Sequence, residues 1–153
     1  MTSGIRAFPP LIAAIGIVIG LALTFAYPVP IVDDNARRSL FGLGVVFLVI
    51  WLGLAISANV TFRRKGTPVN PYAPTTALAT SGPYKFTRNP MYLGLVLMTV
   101  GFALVMNSMW LILLAVPVML ALRNLVIVHE ERYLEEKFGD DYRAYLKRVR
   151  RWL

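Results

Sequence analysis

The chain contains no cysteine and a single histidine, His129. The first absence excludes disulfides, thiolate metal ligands and cysteine nucleophiles. The second excludes a metal site built from several histidines of one chain. Charge is scarce as well, at 16% of residues against roughly a quarter in ordinary soluble domains. Three stretches carry none at all: Ala7 to Val32, Ser39 to Phe62 and Asn89 to Leu122. There is no phosphate-cradling glycine loop, no serine nucleophile elbow and no internal repeat.

What is abundant is apolar surface: 57% of residues are hydrophobic and the mean hydropathy is +0.60. A helix needs about 20 apolar residues to cross the hydrocarbon core. The first two uncharged stretches each supply one span. The third supplies two, because Asn107-Ser108 interrupts it and marks a tight turn. The expectation is an all-α fold: an integral membrane bundle of about four transmembrane helices, forming a single domain over residues 1–153. A signal peptide is the alternative for the first stretch, since Arg6 precedes it, but Thr24-Phe25-Ala26-Tyr27-Pro28 lacks a small-x-small cleavage pattern.

The formal net charge of +8 invites a nucleic-acid reading, yet its placement argues for membrane orientation. Arg63, Arg64, Lys65, Lys85 and Arg88 fill the second loop without any acid, and Arg143, Lys147, Arg148, Arg150 and Arg151 fill the tail. By the positive-inside rule both termini and the second loop are cytoplasmic, and no nucleic-acid partner is expected.

Helix one is expected from Pro9-Pro10 to just before Tyr27-Pro28, and helix two from Leu40 to Asn59. Gly16, Gly20, Gly42, Gly44 and Gly53 point to close helix packing. The loop from Arg63 to Asn89, stiffened by Pro68, Pro71 and Pro74, is long enough for a binding loop, or else is a plain tether. Asn89-Pro90 reads as a helix start with Asn89 as N-cap, and a helix N-terminus favours an anion. Pro117 predicts a kink in helix four. Arg123 and Asn124 lie, at helical spacing, under Glu130 and Glu131 and continue their polar stripe into the membrane, unless Arg123 snorkels to the interface. In the tail Leu134 and Phe138 form an apolar edge, and Gly139 ends that helix. Tyr142, Tyr145, Val149 and Trp152 then line a face, which gives an amphipathic tail at the cytosolic surface or over the bundle.

Two polar knots remain. One runs from Ser81 to Tyr92, the other from His129 to Tyr133, and the hairpin between them returns both to the same aqueous face. Carboxylates there can hold an ammonium or ribose hydroxyls, arginine can clamp a carboxylate, and tyrosine faces can attract a sulfonium. On the residues alone this is a membrane-embedded binding site with both charge signs.

Gly82-Pro83-Tyr84, Arg88-Asn89-Pro90-Met91-Tyr92, Glu130-Glu131 and the closing run Phe138 to Tyr145 resemble the isoprenylcysteine carboxyl methyltransferase family, which belongs with the membrane phospholipid methyltransferases. The resemblance covers Gly82 to Leu153. It implies transfer of a methyl group from S-adenosyl-L-methionine to the carboxylate of an isoprenylcysteine-like or other small lipidic substrate at the cytosolic membrane face. By that resemblance Tyr84, Arg88, Asn89, Pro90, Tyr92, His129, Glu130 and Glu131 belong to the cofactor site, with Arg88 and Glu131 at the reaction centre and no metal. Asn89 stands where many members carry histidine. Two other readings compete. One is N-methylation of a phospholipid amine, where a glutamate takes the proton. The other is a non-catalytic lipid-binding or anchoring module, in which the charged residues form an interfacial salt-bridge belt. The sequence leaves the oligomeric state open.

Overall fold

The computed structural model describes residues 7–66 and 75–153. The proline-rich part of the second loop, with Pro68, Pro71 and Pro74, lies outside the described residues. Among the described residues all regular structure is helical. Helix α1 spans Pro9–Ala26, α2 spans Asp34–Arg64, and a short 3₁₀ turn follows at Gly82–Lys85. Helices α3 (Pro90–Val105) and α4 (Met109–Leu122) form the hairpin. A π-helical turn, Arg123–Ile127, joins α4 to α5 (Val128–Arg148).

Helices α1, α2 and the continuous α4–α5 helix are long and apolar enough to cross a membrane. Helix α3, with 16 residues, measures about 24 Å at 1.5 Å per residue and falls short of the roughly 30 Å core. The chain is an all-α integral membrane protein with three to four such helices.

Helix α1 starts at its proline pair, where a missing N–H costs nothing. Helix α2 overruns its uncharged stretch at both ends. Asp33 Oδ1 accepts from the Ala36 N–H (3.3 Å), and Arg63 and Arg64 complement the dipole of the last turn. The uncharged run thus marks the membrane rather than the helix. Helix α4 runs through Pro117, which has no N–H to give the helix, and a π turn follows at Arg123–Ile127. The tail divides as expected, because Gly139 (φ 52°, ψ −121°) breaks the helical path inside α5.

Helix α2 packs chiefly on α3, while α1 packs on α4 and α3. Glycines set these approaches only in part. A Cβ on Gly44 would meet the Val105 nitrogen at 2.8 Å and the Gly101 oxygen at 2.9 Å, so the α2 and α3 backbones touch directly. Gly16 and Gly20 receive Val118 and Leu111 of α4. Gly42 and Gly53 depart from the packing expectation: nothing lies within 4 Å of either added Cβ. They sit about three turns apart on an outer face that also carries the exposed Val46 and Val49.

At the end of the bundle away from the motifs, Asn107 adopts φ 51°, which a short amide side chain tolerates. Its Oδ1 accepts from the Ile31 and Val32 N–H groups (2.9 and 3.0 Å), and its Nδ2 donates to the Val32 carbonyl (2.9 Å). Ser108 caps α4 by accepting from Leu111 N–H (3.3 Å). The two connections at this end are therefore bonded to each other.

Candidate active site

The first polar knot is held from both sides. Gly82 has φ 60°, and a Cβ there would strike Thr61 Oγ1 at 2.6 Å, so only glycine lets the 3₁₀ turn lie on α2. The Tyr84 ring stacks on Phe62 of α2, with centroids 5.3 Å apart and planes 14° from parallel. From α5, Tyr145 Oη donates to the Tyr84 carbonyl (2.7 Å). Burial pushes the Tyr84 phenol well above the usual tyrosine range, and the charge of Glu130 adds to this, so the hydroxyl stays protonated.

Residues 87–89 lie against the segment that follows α5. The Arg88 N–H donates to the Arg150 carbonyl (2.9 Å). The Arg151 carbonyl accepts from both Thr87 Oγ1 (3.0 Å) and Asn89 Nδ2 (3.1 Å). This corrects the capping role expected of Asn89. The residue does precede α3, but its side-chain oxygen makes no cap bond, and its Nδ2 donates to the Arg151 carbonyl instead.

The two adjacent glutamates are in opposite electrostatic situations. Arg151 grips Glu131 with two bonds, Nε to Oε1 (3.1 Å) and Nη2 to Oε2 (2.6 Å), while Arg88 Nη1 lies 3.4 Å from Oε1. These bonds raise the pKa of Arg151, which stays charged. Glu130 accepts one hydrogen bond, from Tyr92 Oη (2.7 Å), and has no ion-pair partner among the described residues. Arg88 Nε is buried with no hydrogen-bond partner among the described residues.

These groups surround a cavity of about 770 Å³, within the 300–1,000 Å³ range typical of small-molecule sites. One part of its wall is polar: Tyr84, Arg88, Asn89, Tyr92, Glu130 and Glu131. Another part is apolar: Trp51, Ala55 and Phe62 of α2 with Leu95 and Met98 of α3. Pro90 of α3 and Tyr142 and Tyr145 of the tail also line it. The site offers an anion the Arg88 guanidinium and offers a cation the Glu130 carboxylate.

Of the residues expected at the site, His129 is the one the structure leaves out of the wall. Its Nδ1 is buried with no hydrogen-bond partner among the described residues, and its ring lies outside the cavity lining. Arg123 and Asn124 do not extend the polar stripe either. The π turn alters the helical register there, and the two residues are exposed, with Arg123 Nη1 donating to Asn124 Oδ1 (3.2 Å). Conversely, Trp51 and Arg151 belong to the site's surroundings with no motif to announce them.

Residues 38–141 match the phospholipid methyltransferase family. Over 63 residues the chain is 41% identical to an uncharacterized protein of Haemophilus influenzae, an overlap of 41% of this chain and 100% of that protein. No solved structure matches. The matched segment contains both polar knots and the hairpin between them, and members of this family generally use S-adenosylmethionine. The chain belongs to the phospholipid methyltransferase family of membrane methyltransferases.

Proposed function

We propose that the protein transfers a methyl group from S-adenosylmethionine to the polar head of a membrane lipid at the cytosolic face. The observation that carries this reading is the mixed character of the cavity wall. Met98 lies eight residues beyond the start of α3 at Pro90, about 12 Å along the helix. An apolar chain can therefore follow Trp51, Ala55, Leu95 and Met98 while its head group stays among Arg88, Tyr92 and Glu130.

The residues present suit the cofactor. Arg88 lines the cavity and its guanidinium is a donor group for a carboxylate, the Tyr84 and Tyr142 rings offer π faces to a cation, and the volume admits a cofactor beside a lipid head. When bound, S-adenosylmethionine supplies an electrophilic methyl group on a sulfonium. The protein's part is positioning and exclusion of water, with the buried tyrosines lining the wall.

On the acceptor, the two knots pull in different directions. The basic second loop suits an anionic head, as does the Arg88 guanidinium, and both support an isoprenylcysteine-like carboxylate. Glu130 supports an amine. A protonated amine must lose a proton before it attacks, and Glu130 is a carboxylate without a counter-cation that can both attract the ammonium and take that proton. With Arg88 given to the cofactor carboxylate, each polar group then has one task, so phospholipid amine N-methylation is the better-supported acceptor chemistry. The test is methyl transfer by purified protein to vesicles containing phosphatidylethanolamine, compared with vesicles containing a prenylated cysteine carboxylate. Transfer to the amine alone is the expected result. Transfer to the carboxylate alone reverses the acceptor, and transfer to neither, with no S-adenosylhomocysteine binding, overturns the enzyme reading.

A further inference from the structure

We propose that Arg151 is a positioning residue. It fixes Glu131, and through Glu131 the guanidinium of Arg88, so that residues 149–153 complete the cofactor site without lining it. The inference rests on the methyltransferase reading and goes beyond it, because Arg151 is absent from the cavity wall.

Glu131 is only 16% exposed and has three claims on its two oxygens. Arg151 takes both with the forked geometry that only arginine offers. Arg88 Nη1 at 3.4 Å is longer than an ordinary N–H···O bond, so Arg88 is tethered rather than clamped. Arg88 lines the cavity, and its Nε is buried with no hydrogen-bond partner among the described residues. Without Arg151, the half-buried Glu131 keeps Arg88 as its sole counter-charge. The Arg88 guanidinium is then drawn onto Glu131 and away from a ligand.

The same segment holds Arg88 from behind. The Arg150 carbonyl accepts from Arg88 N–H, and the Arg151 carbonyl accepts from the residues on either side of it, Thr87 and Asn89. Val149 packs with Tyr142 and Tyr145, so residues 149–153 remain anchored when the Arg151 side chain is removed. A side-chain variant therefore tests positioning separately from docking of the segment.

The experiment is calorimetric titration of S-adenosylhomocysteine into full-length protein in detergent, for wild type, Arg151→Ala, Arg151→Lys, Glu131→Gln and the Arg151→Ala/Glu131→Gln double variant. Arg151→Ala is expected to bind at least tenfold more weakly, and Arg151→Lys to recover only part of the loss. The double variant is expected to bind no worse than Glu131→Gln alone, because the arginine acts through that carboxylate. Wild-type affinity in Arg151→Ala, or a full separate loss in the double variant, overturns the proposal. A folded wild type that binds no S-adenosylhomocysteine sinks the methyltransferase reading instead. The Arg151–Glu131 cycle is then read in thermal unfolding, where additive effects overturn the positioning claim and coupled effects support it.

Discussion

Glu130 and Glu131 are neighbours in sequence, yet Glu131 is bracketed by two arginines while Glu130 accepts a hydrogen bond from the Tyr92 hydroxyl and has no arginine beside it among the described residues. This asymmetry makes their substitutions separable. Glu130→Gln is expected to keep S-adenosylhomocysteine affinity while lowering amine methylation by about 10²–10⁴-fold, the usual contribution of a general base. Paired binding and turnover measurements check it. His129→Ala is expected to leave the transfer rate near that of wild type, since its ring lies outside the cavity lining. A large loss on that substitution would return His129 to the site. All the other candidates read from the sequence line the cavity, because the two knots are contiguous and the hairpin between them is visible as one uncharged run. Arg151 was not legible. Its partner lies 20 residues back across a break in the helix, and in the sequence it is one cation among several. Trp51 was hidden for a different reason: on an apolar helix, periodicity does not say which residue faces a cavity.

Among the elements, the sequence places the helices better than their faces. The start of α1, the Asn107-Ser108 turn and the break at Gly139 follow from local chemistry: proline at N1, asparagine at positive φ, and glycine where the path turns. The glycines of α2 show what local chemistry omits. Gly44 faces the α3 backbone, whereas Gly53 faces open space, and both occupy the same kind of apolar surroundings in sequence. Gly44→Ala is therefore expected to destabilise the bundle by about 1–3 kcal/mol through overpacking. Gly53→Ala is expected to be neutral or to stabilise by up to about 1 kcal/mol through helix propensity. Thermal unfolding in one detergent compares them, and equal shifts would argue against the α2–α3 contact.

At the scale of the whole molecule, the charge distribution leads to a topology. The lack of cysteine makes the chain a clean background for single-cysteine labelling. A cysteine at Phe86, a position 75% exposed beside the site, is expected to resist a membrane-impermeant maleimide in intact cells. One at Val29, at the opposite end and 42% exposed, is expected to react. The reverse pattern would invert the protein. The shortness of α3 has a last consequence. A helix of about 24 Å ends some 6 Å short of an average bilayer core, and it is the helix whose first turn carries Tyr92. On the proposed lipid-head reading, bringing a head group to that depth requires the leaflet to dip locally, at a cost of fractions of a kcal/mol per ångström of mismatch. Turnover is therefore expected to rise in nanodiscs of shorter acyl chains, so that bilayer thickness itself would act on the rate of the proposed reaction.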